Sequence, residues 1–461
     1  MASNSLKSAI LQPMLKKLAT GFIVLIGAVL LFVALSVLPI DRFDYRDQGF
    51  YNAMELRLDS LQKGEAPGSQ KGFSIGYAKV NLTPTQRTAT AGYGNRKGKL
   101  YTIVHDSIYV RTLVVANGKT KVAIVSADLL IIPPQVTALL QTELPSIGFS
   151  LSNTYLGAIH THNSIGNWGK GVVTFMYGSY QDSIVHFIAD KIKESILLAS
   201  KNTLPGSIST ARIPLGKPLR NRIDKDAGLD SLLHIVEVKR SDSSKLILMN
   251  YTAHATCLYS KNLELSRDYP GRLVDELEKR GYNFAMFMAG AVGSHGINTP
   301  EYGWDCIDWM ATTIVNKFET QRHYLTPMQN DSTLMMYRVP LELGKPQVKI
   351  SKDWKVRPWI FKAAFGDSPN YLTALRIGNL VMLGTPCDYS GELTHILYEN
   401  AQHKNLDVMV TSFNGGYIGY ITPRNHYDVN HYETRLMNWY GPGSGEYMQE
   451  CLNQLIDIVS N

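Results

Sequence analysis

Cysteine is scarce in this sequence: its 461 residues hold four. No two of them fall in a CxxC spacing, which argues against a structural zinc knuckle. Also lacking are a low-complexity stretch, a short internal repeat and a dominant basic run. The formal net charge is +7, but the lysines and arginines are scattered, so the basic patch of a nucleic-acid binder is missing and no nucleic-acid partner is expected. Hydrophobic residues make up 44% and charged residues 18%, an ordinary globular balance. A chain of this length buries a sizeable core unaided, so a bound metal would serve chemistry rather than folding. The cysteines are Cys257, Cys306, Cys387 and Cys451. An even count permits disulfides outside the cytoplasm without requiring them. Cys257 and Cys387 each neighbour a candidate metal ligand, and the two are expected close together, as free thiols or as a bond.

Charge is absent from Leu18 to Ile40, LATGFIVLIGAVLLFVALSVLPI. About 23 residues at 1.5 Å each cross a bilayer core of roughly 30 Å. Lys7, Lys16 and Lys17 precede the run and Asp41 follows it. The positive-inside rule then leaves residues 1–17 in the cytoplasm and puts everything after the 18–40 anchor across the membrane. A cleaved signal peptide is the alternative, but its apolar region is normally shorter and ends at an A-x-A-like site. An uncleaved anchor is the expectation, in a bacterial inner membrane with the remainder in the periplasm.

Residues 41–72 read as a stalk, with an amphipathic stretch from Tyr51 to Leu61 and then KGEAPGSQKG as a linker. The body spans 73–461. There, SIYVRTLVVANGKTKVAIVSADLL predicts two strands joined by a turn at Asn117–Gly118. SIVHFIADKIKESILLAS predicts an amphipathic helix. Strand and helix patterns alternate to the end, which predicts an α/β fold with mixed central sheets flanked by helices.

Four strand ends deliver polar groups into loops: AIHTHN with His160 and His162, YTAHAT with His254, TPCDY with Asp388, and GYIGYIT with Tyr420. Sites form where strand ends meet loops. Two histidines and a carboxylate make the ligand set of a catalytic zinc ion. Alternation along a strand would aim His160 and His162 at one face. Each signal also has a plain reading: a satisfied core histidine, or an Asp388 that caps the next helix.

The order and wording of these segments resemble the catalytic N-terminal domain of the neutral/alkaline non-lysosomal ceramidases, from about Phe73 onward. IGYAKVNLTP, AIHTHNSIG, LRNRIDKDAGLDSLLHI, TAHATCL with RDYPGRLVDELEK, GTPCDYSGEL, and GGYIGYITPRNHYDVNHYETRLMNWYGP follow one another as in that family. The resemblance implies one zinc ion per chain on His160, His254, Asp388 and Tyr420. It implies His162 beside the reacting carbonyl and Arg222 on substrate or oxyanion. The substrate implied is ceramide or another N-acyl lipid, with amide hydrolysis as the reaction. Asp388 stands where the family has Glu, and Glu392 is a rival ligand. The loop that carries the family's serine nucleophile reads Gly290-Ala-Val-Gly-Ser294-His295 here, leaving either Ser294 or a metal-activated water to attack. His295 is either a substrate contact or a solvent-facing loop residue. Asp268 either orients a ligand histidine or caps the helix after it. The immunoglobulin-like domain that follows the YGP motif in ceramidases is not expected. The rival readings are a catalytically silent, membrane-anchored binding protein on the same fold and a zinc esterase or peptidase.

Overall fold

Three times the chain follows the same path. A strand turns back into a second and a third, a helix crosses over, and a fourth strand pairs in parallel with the third. A further helix then closes the unit. In the first unit the strands are Phe73–Asn81, Tyr109–Ala116, Lys121–Ala127 and Thr154–Ala158, with helices Pro134–Glu143 and Asp182–Lys201. The second uses Leu204–Pro214, Leu232–Arg240, Lys245–Tyr251 and Phe284–Ala289, with helices Asp268–Lys279 and Trp304–Thr320. The third uses Leu334–Pro340, Tyr371–Ile377, Leu380–Gly384 and Asp407–Thr411, with helices His395–His403 and Ser444–Ser460. The computed structural model describes residues 2–62, 72–328, 332–366 and 369–460.

The first two units join edge to edge through Phe73–Ile75 and Leu204–Gly206 and, with the short strand Thr326–Pro327 paired on Leu204–Pro214, give one nine-stranded mixed sheet; the third forms a four-stranded sheet. Residues such as Ile75, Val236, Phe284 and Met288 fill the space between the sheets against Leu375, Met382 and Met409. Helices cover the outer faces. Helix Asp182–Lys201 buries Val185, Ile188, Ile192 and Ile196 on the first unit. Helix Ser444–Ser460 buries Leu452, Leu455 and Ile456 on the third. The expected α/β class with mixed sheets holds, and so does the Asn117–Gly118 connection, which joins antiparallel strands.

The N-terminal helix runs Ala2–Ser36, and its apolar part, Leu15–Ser36, has no buried residues over its most apolar window. It stops before the expected boundary at Ile40. Val37–Pro39 instead pairs antiparallel with Trp354–Val356, because Pro39 and the β-branched Val37 disfavour a continued helix. The segment read as a stalk is, over 41–62, part of the folded body. Helix Gly49–Gln62 buries Met54 and Leu58 completely, and the Tyr45 hydroxyl donates to Glu450 at 2.8 Å. An amphipathic stretch next to an uncovered apolar face docks rather than staying free. The linker at 63–71 lies outside the described residues.

One cysteine expectation is overturned. Cys257 is bonded to Cys306, across a sequence separation of 49, and packs in a different part of the core from Cys387. Cys387 and Cys451 are buried free thiols, and the Cys387 sulfur meets Met448 at 3.8 Å.

Candidate metal centre

The parallel third and fourth strands of each unit release their chains toward the same end of a sheet; His160, His254 and Asp388 lie within four residues of those ends, and Tyr420 returns nine residues after its strand. Strand Thr154–Ala158 stops two residues before His160, which takes a left-handed conformation at φ 64°. Its amide donates to Leu129 O at 3.0 Å, and its Nδ1–H donates to Leu130 O at 2.8 Å. The turn, rather than strand alternation, brings His160 and His162 together, with their Nε2 atoms 3.2 Å apart. Buried Arg96 holds this loop. It donates to the carbonyl of His162, to Asn163 Oδ1 at 2.9 Å and to Asn262 O at 2.8 Å. Gly92 must be glycine here: its φ is 122°, and a Cβ would lie 2.4 Å from His162 Cα.

His254 enters from the second unit, three residues past strand Lys245–Tyr251. Its Nδ1 faces Val292 O at 3.4 Å, and its Nε2 lies 2.9 Å from His160 Nε2 and 3.0 Å from His162 Nε2. Since His160 and His254 turn Nδ1–H toward carbonyls, their Nε2 lone pairs face each other. Burial holds all three imidazoles neutral: His160 is lowered to about 3, and His162 and His254 go well below the usual range. Converging bare nitrogens repel unless a cation lies among them, and neutral imidazole is the form a metal takes. Separations of 2.9–3.2 Å come close to the ~3.3 Å edge of a tetrahedron built on Zn–N bonds.

Asp388 comes from the third unit and is completely buried. Its Oδ1 lies 3.4 Å from His160 Nε2 and has no hydrogen-bond partner, while Oδ2 accepts from the Tyr417 hydroxyl at 2.7 Å. Burial raises its pKa to about 7 against the pull of Tyr417, Arg222 and Tyr420. An orphaned carboxylate oxygen beside three neutral imidazoles is the donor set of a divalent transition metal such as zinc. Tyr420 pairs in register with Asp388, and its ring lies parallel to His254, with centroids 6.5 Å apart. Arg222 ion-pairs with buried Glu433 at 2.7 Å, donates to Gly293 O at 2.7 Å and covers the Tyr420 ring. Burial opposes its charge, but Tyr420 and Glu433 outweigh that and raise its pKa.

Ser294 is placed differently. It is completely buried, 2.8 Å from His295 Nδ1, and accepts from the Ser390 hydroxyl at 2.9 Å. His295 is buried as well, not solvent-facing, and its Nε2 accepts the Asp230 N–H at 2.7 Å. The ring proton therefore sits on Nδ1 and points at Ser294, so His295 cannot take a proton from that hydroxyl through Nδ1. Glu392 also turns away from the histidines, to Asn221 at 2.7 Å and His426 at 3.2 Å. Asp268 accepts from the Tyr269, Cys257 and Leu258 amides; it ties the His254 loop to the first turn of its helix and touches no imidazole.

A cavity of about 770 Å³ reaches the centre, with His160, His162, Asp388 and Tyr420 in its wall. His254, Arg222 and Ser294 are outside that wall. The rest is mainly apolar and aromatic, including Trp168, Val173, Phe361, Phe365 and Trp439. Several contributors carried no sequence signal of their own. Tyr417, Glu433 and Arg96 lie in segments that resemble the family, yet only their contacts give them roles. Phe413, stacked on His160 with centroids 4.0 Å apart, follows a strand with nothing to mark it.

Comparison with known proteins agrees with this architecture. The family model for neutral/alkaline non-lysosomal ceramidase, N-terminal, matches residues 73–286. No curated protein sequence matches. Among solved structures, neutral ceramidase from Pseudomonas aeruginosa superposes with a TM-score of 0.71 at 16% identity, covering 84% of this chain and 74% of that one. A ceramidase complexed with C2 superposes with a TM-score of 0.73 at 16% identity, covering 85% and 76%. At such identity the likeness establishes the fold.

Proposed function

We propose, from the match of residues 73–286 to the neutral/alkaline non-lysosomal ceramidase family and from the shared fold, that this chain is a membrane-anchored, zinc-dependent amidohydrolase cleaving the N-acyl amide of ceramide or a related lipid. The observation that carries the reading is the convergence of three neutral imidazoles and an orphaned carboxylate oxygen on an apolar cavity. In this reading His160, His254, Asp388 and Tyr420 hold the ion, which supplies Lewis acidity to water and to the amide carbonyl.

The chain's own groups divide the remaining work. His160 and His254 have their tautomers set by backbone carbonyls. The His162 ring faces the Gly92 backbone, but its Nδ1 completes no hydrogen bond there, so that ring, in the cavity wall, can carry its proton on Nε2 or release it. It suits the group that stabilises the developing oxyanion or passes a proton to the leaving amine. Arg222 acts through Tyr420 and Glu433, holding the phenol in place and offsetting negative charge. The proton on His295 Nδ1 disfavours Ser294 as nucleophile and favours water. The apolar wall excludes bulk water and accommodates acyl chain. The Cys257–Cys306 bond suits an oxidising compartment, in keeping with a body on the periplasmic side of an inner-membrane anchor.

The test uses the full chain in detergent with a fluorescent short-chain N-acyl sphingosine, metal analysis and His160→Ala. One zinc per chain with amide cleavage lost in the variant supports the reading. Zinc without cleavage of the amide refutes the substrate class and favours an ester or another acyl amine. Neither zinc nor turnover favours a binding protein on this fold.

A further inference from the structure

The end of the N-terminal helix is fastened to the rim of the cavity. The last carbonyls of a helix lack internal partners, and here one short segment takes three of them. Arg357 N donates to Ser36 O at 2.8 Å. The Arg357 guanidinium donates to Ala34 O at 3.0 Å, and the Trp359 indole to Leu35 O at 3.1 Å. Strand Val37–Pro39 then pairs with Trp354–Val356. The apolar helix is thus bolted to the body, and its exit point is fixed.

What it is bolted to is helix Pro358–Phe365, which turns Phe361 and Phe365 into the cavity wall. The far end of that helix holds the next piece of rim, since Val172 N donates to Ala364 O at 2.9 Å. Helix Val173–Tyr177 follows, with Val173 and Met176 also in the wall. Along this strip other large apolar side chains are turned outward. Phe175 is 76% exposed, Trp359 56% and Trp354 50%. Exposed apolar surface of this kind marks an interaction site, and tryptophan concentrates where membrane meets water. Trp359 spans the two regimes, with its N–H on the helix end and its ring outside.

We infer that this strip, with Trp354, Trp359 and Phe175, lies in the interfacial layer of the bilayer that the N-terminal helix crosses, so that the cavity draws a long-chain apolar substrate sideways from the membrane. The inference rests on the helix being a membrane span and on the reading of the cavity as a lipid site, and each link is tested separately.

Nitroxide labels at Trp359→Cys, Phe175→Cys, Leu25→Cys and Tyr324→Cys in the full chain, reconstituted in phosphatidylcholine–phosphatidylglycerol vesicles, report lipid contact. The ratio of accessibility to oxygen over a water-soluble nickel chelate is expected to be about fivefold higher at 359 and 175 than at 324, as for an element lying in the headgroup region. Lipid contact at 25 with water contact at 359 and 175 overturns the inference alone. Water contact at 25 overturns the membrane span and the inference with it. In parallel, Trp359→Ser/Phe175→Ser is expected to hydrolyse a long-chain amide in vesicles about tenfold more slowly, the scale of one aromatic side chain lost from a buried position, with an unchanged rate on a short-chain soluble amide. An unchanged rate on both substrates contradicts sideways entry. An inactive parent chain refutes the proposed function and leaves the label result to stand on its own.

Discussion

Replacing Asp388 by Asn should change stability in opposite directions with and without metal. In the metal-free chain the buried carboxylate is a burden. Burial raises its pKa to about 7 from an unfolded value of about 3.9, and each unit corresponds to about 1.4 kcal/mol. A folded pKa above the unfolded one contributes stability that is complete below pH ~4 and lost as pH rises through ~7. The upper limit of that loss is ~4 kcal/mol, and relaxation in the protein brings the expected figure to ~2 kcal/mol. Asn keeps the volume, its carbonyl still accepts from Tyr417, and its amide group faces His160 Nε2 across the present 3.4 Å. The metal-free variant should therefore melt higher than the parent at pH 8, with the advantage shrinking as pH falls from 7 to 4. Zinc reverses the order. It stabilises only by binding the folded state more tightly, and loss of the single anionic oxygen among these donors should remove most of that gain. Thermal melts of the full chain in detergent, from pH 4.5 to 8.5 with chelator and with excess zinc, measure both effects. A metal-free variant that melts below the parent at pH 8, or an equal zinc shift in both proteins, would refute the reasoning.

Ser294→Ala should retain amide hydrolysis within about threefold and lose ~2 kcal/mol of stability, the usual scale for the two buried hydrogen bonds its hydroxyl accepts from His295 and Ser390; a loss of a thousandfold or more in initial rate would make the serine the nucleophile. Cys257→Ser/Cys306→Ser should lower unfolding stability by ~4 kcal/mol, from the chain entropy of a loop of about 50 residues, and loosen the start of the His254 loop. Urea titration of the oxidised parent and the double variant measures this, and coincident curves would count against the bond.

Much of this centre could be read from the chain because its chemistry sits at strand ends, and a hydrophobic strand followed by His or Asp is a local pattern. The ordered resemblance to a family then linked residues that spacing alone cannot connect. What could not be read depends on conformation. His160 reaches its neighbours through a left-handed turn, which no alternation rule anticipates. His162 comes as close to His254 as His160 does, so a sequence division between ligand and catalytic histidine has no counterpart in the distances. The pairing of Cys257 was open because four cysteines allow three connectivities. Helix Gly49–Gln62 read as a stalk because its burial depends on helix Ser444–Ser460, far away in sequence.

Each of the three repeated units can form its own strand pairs and crossover, but none contains the centre. His160 belongs to the first, His254 to the second, and Asp388 and Tyr420 to the third, so the outermost of the proposed ligands stand roughly 260 residues apart in the chain, where closing contacts is slow. The donor set is therefore a keystone. It comes into being only when three separately built arches have met, and metal uptake during folding should be a late event that reports assembly of the whole. A lesion in any one unit, however far from an imidazole, acts on the centre by spoiling that meeting.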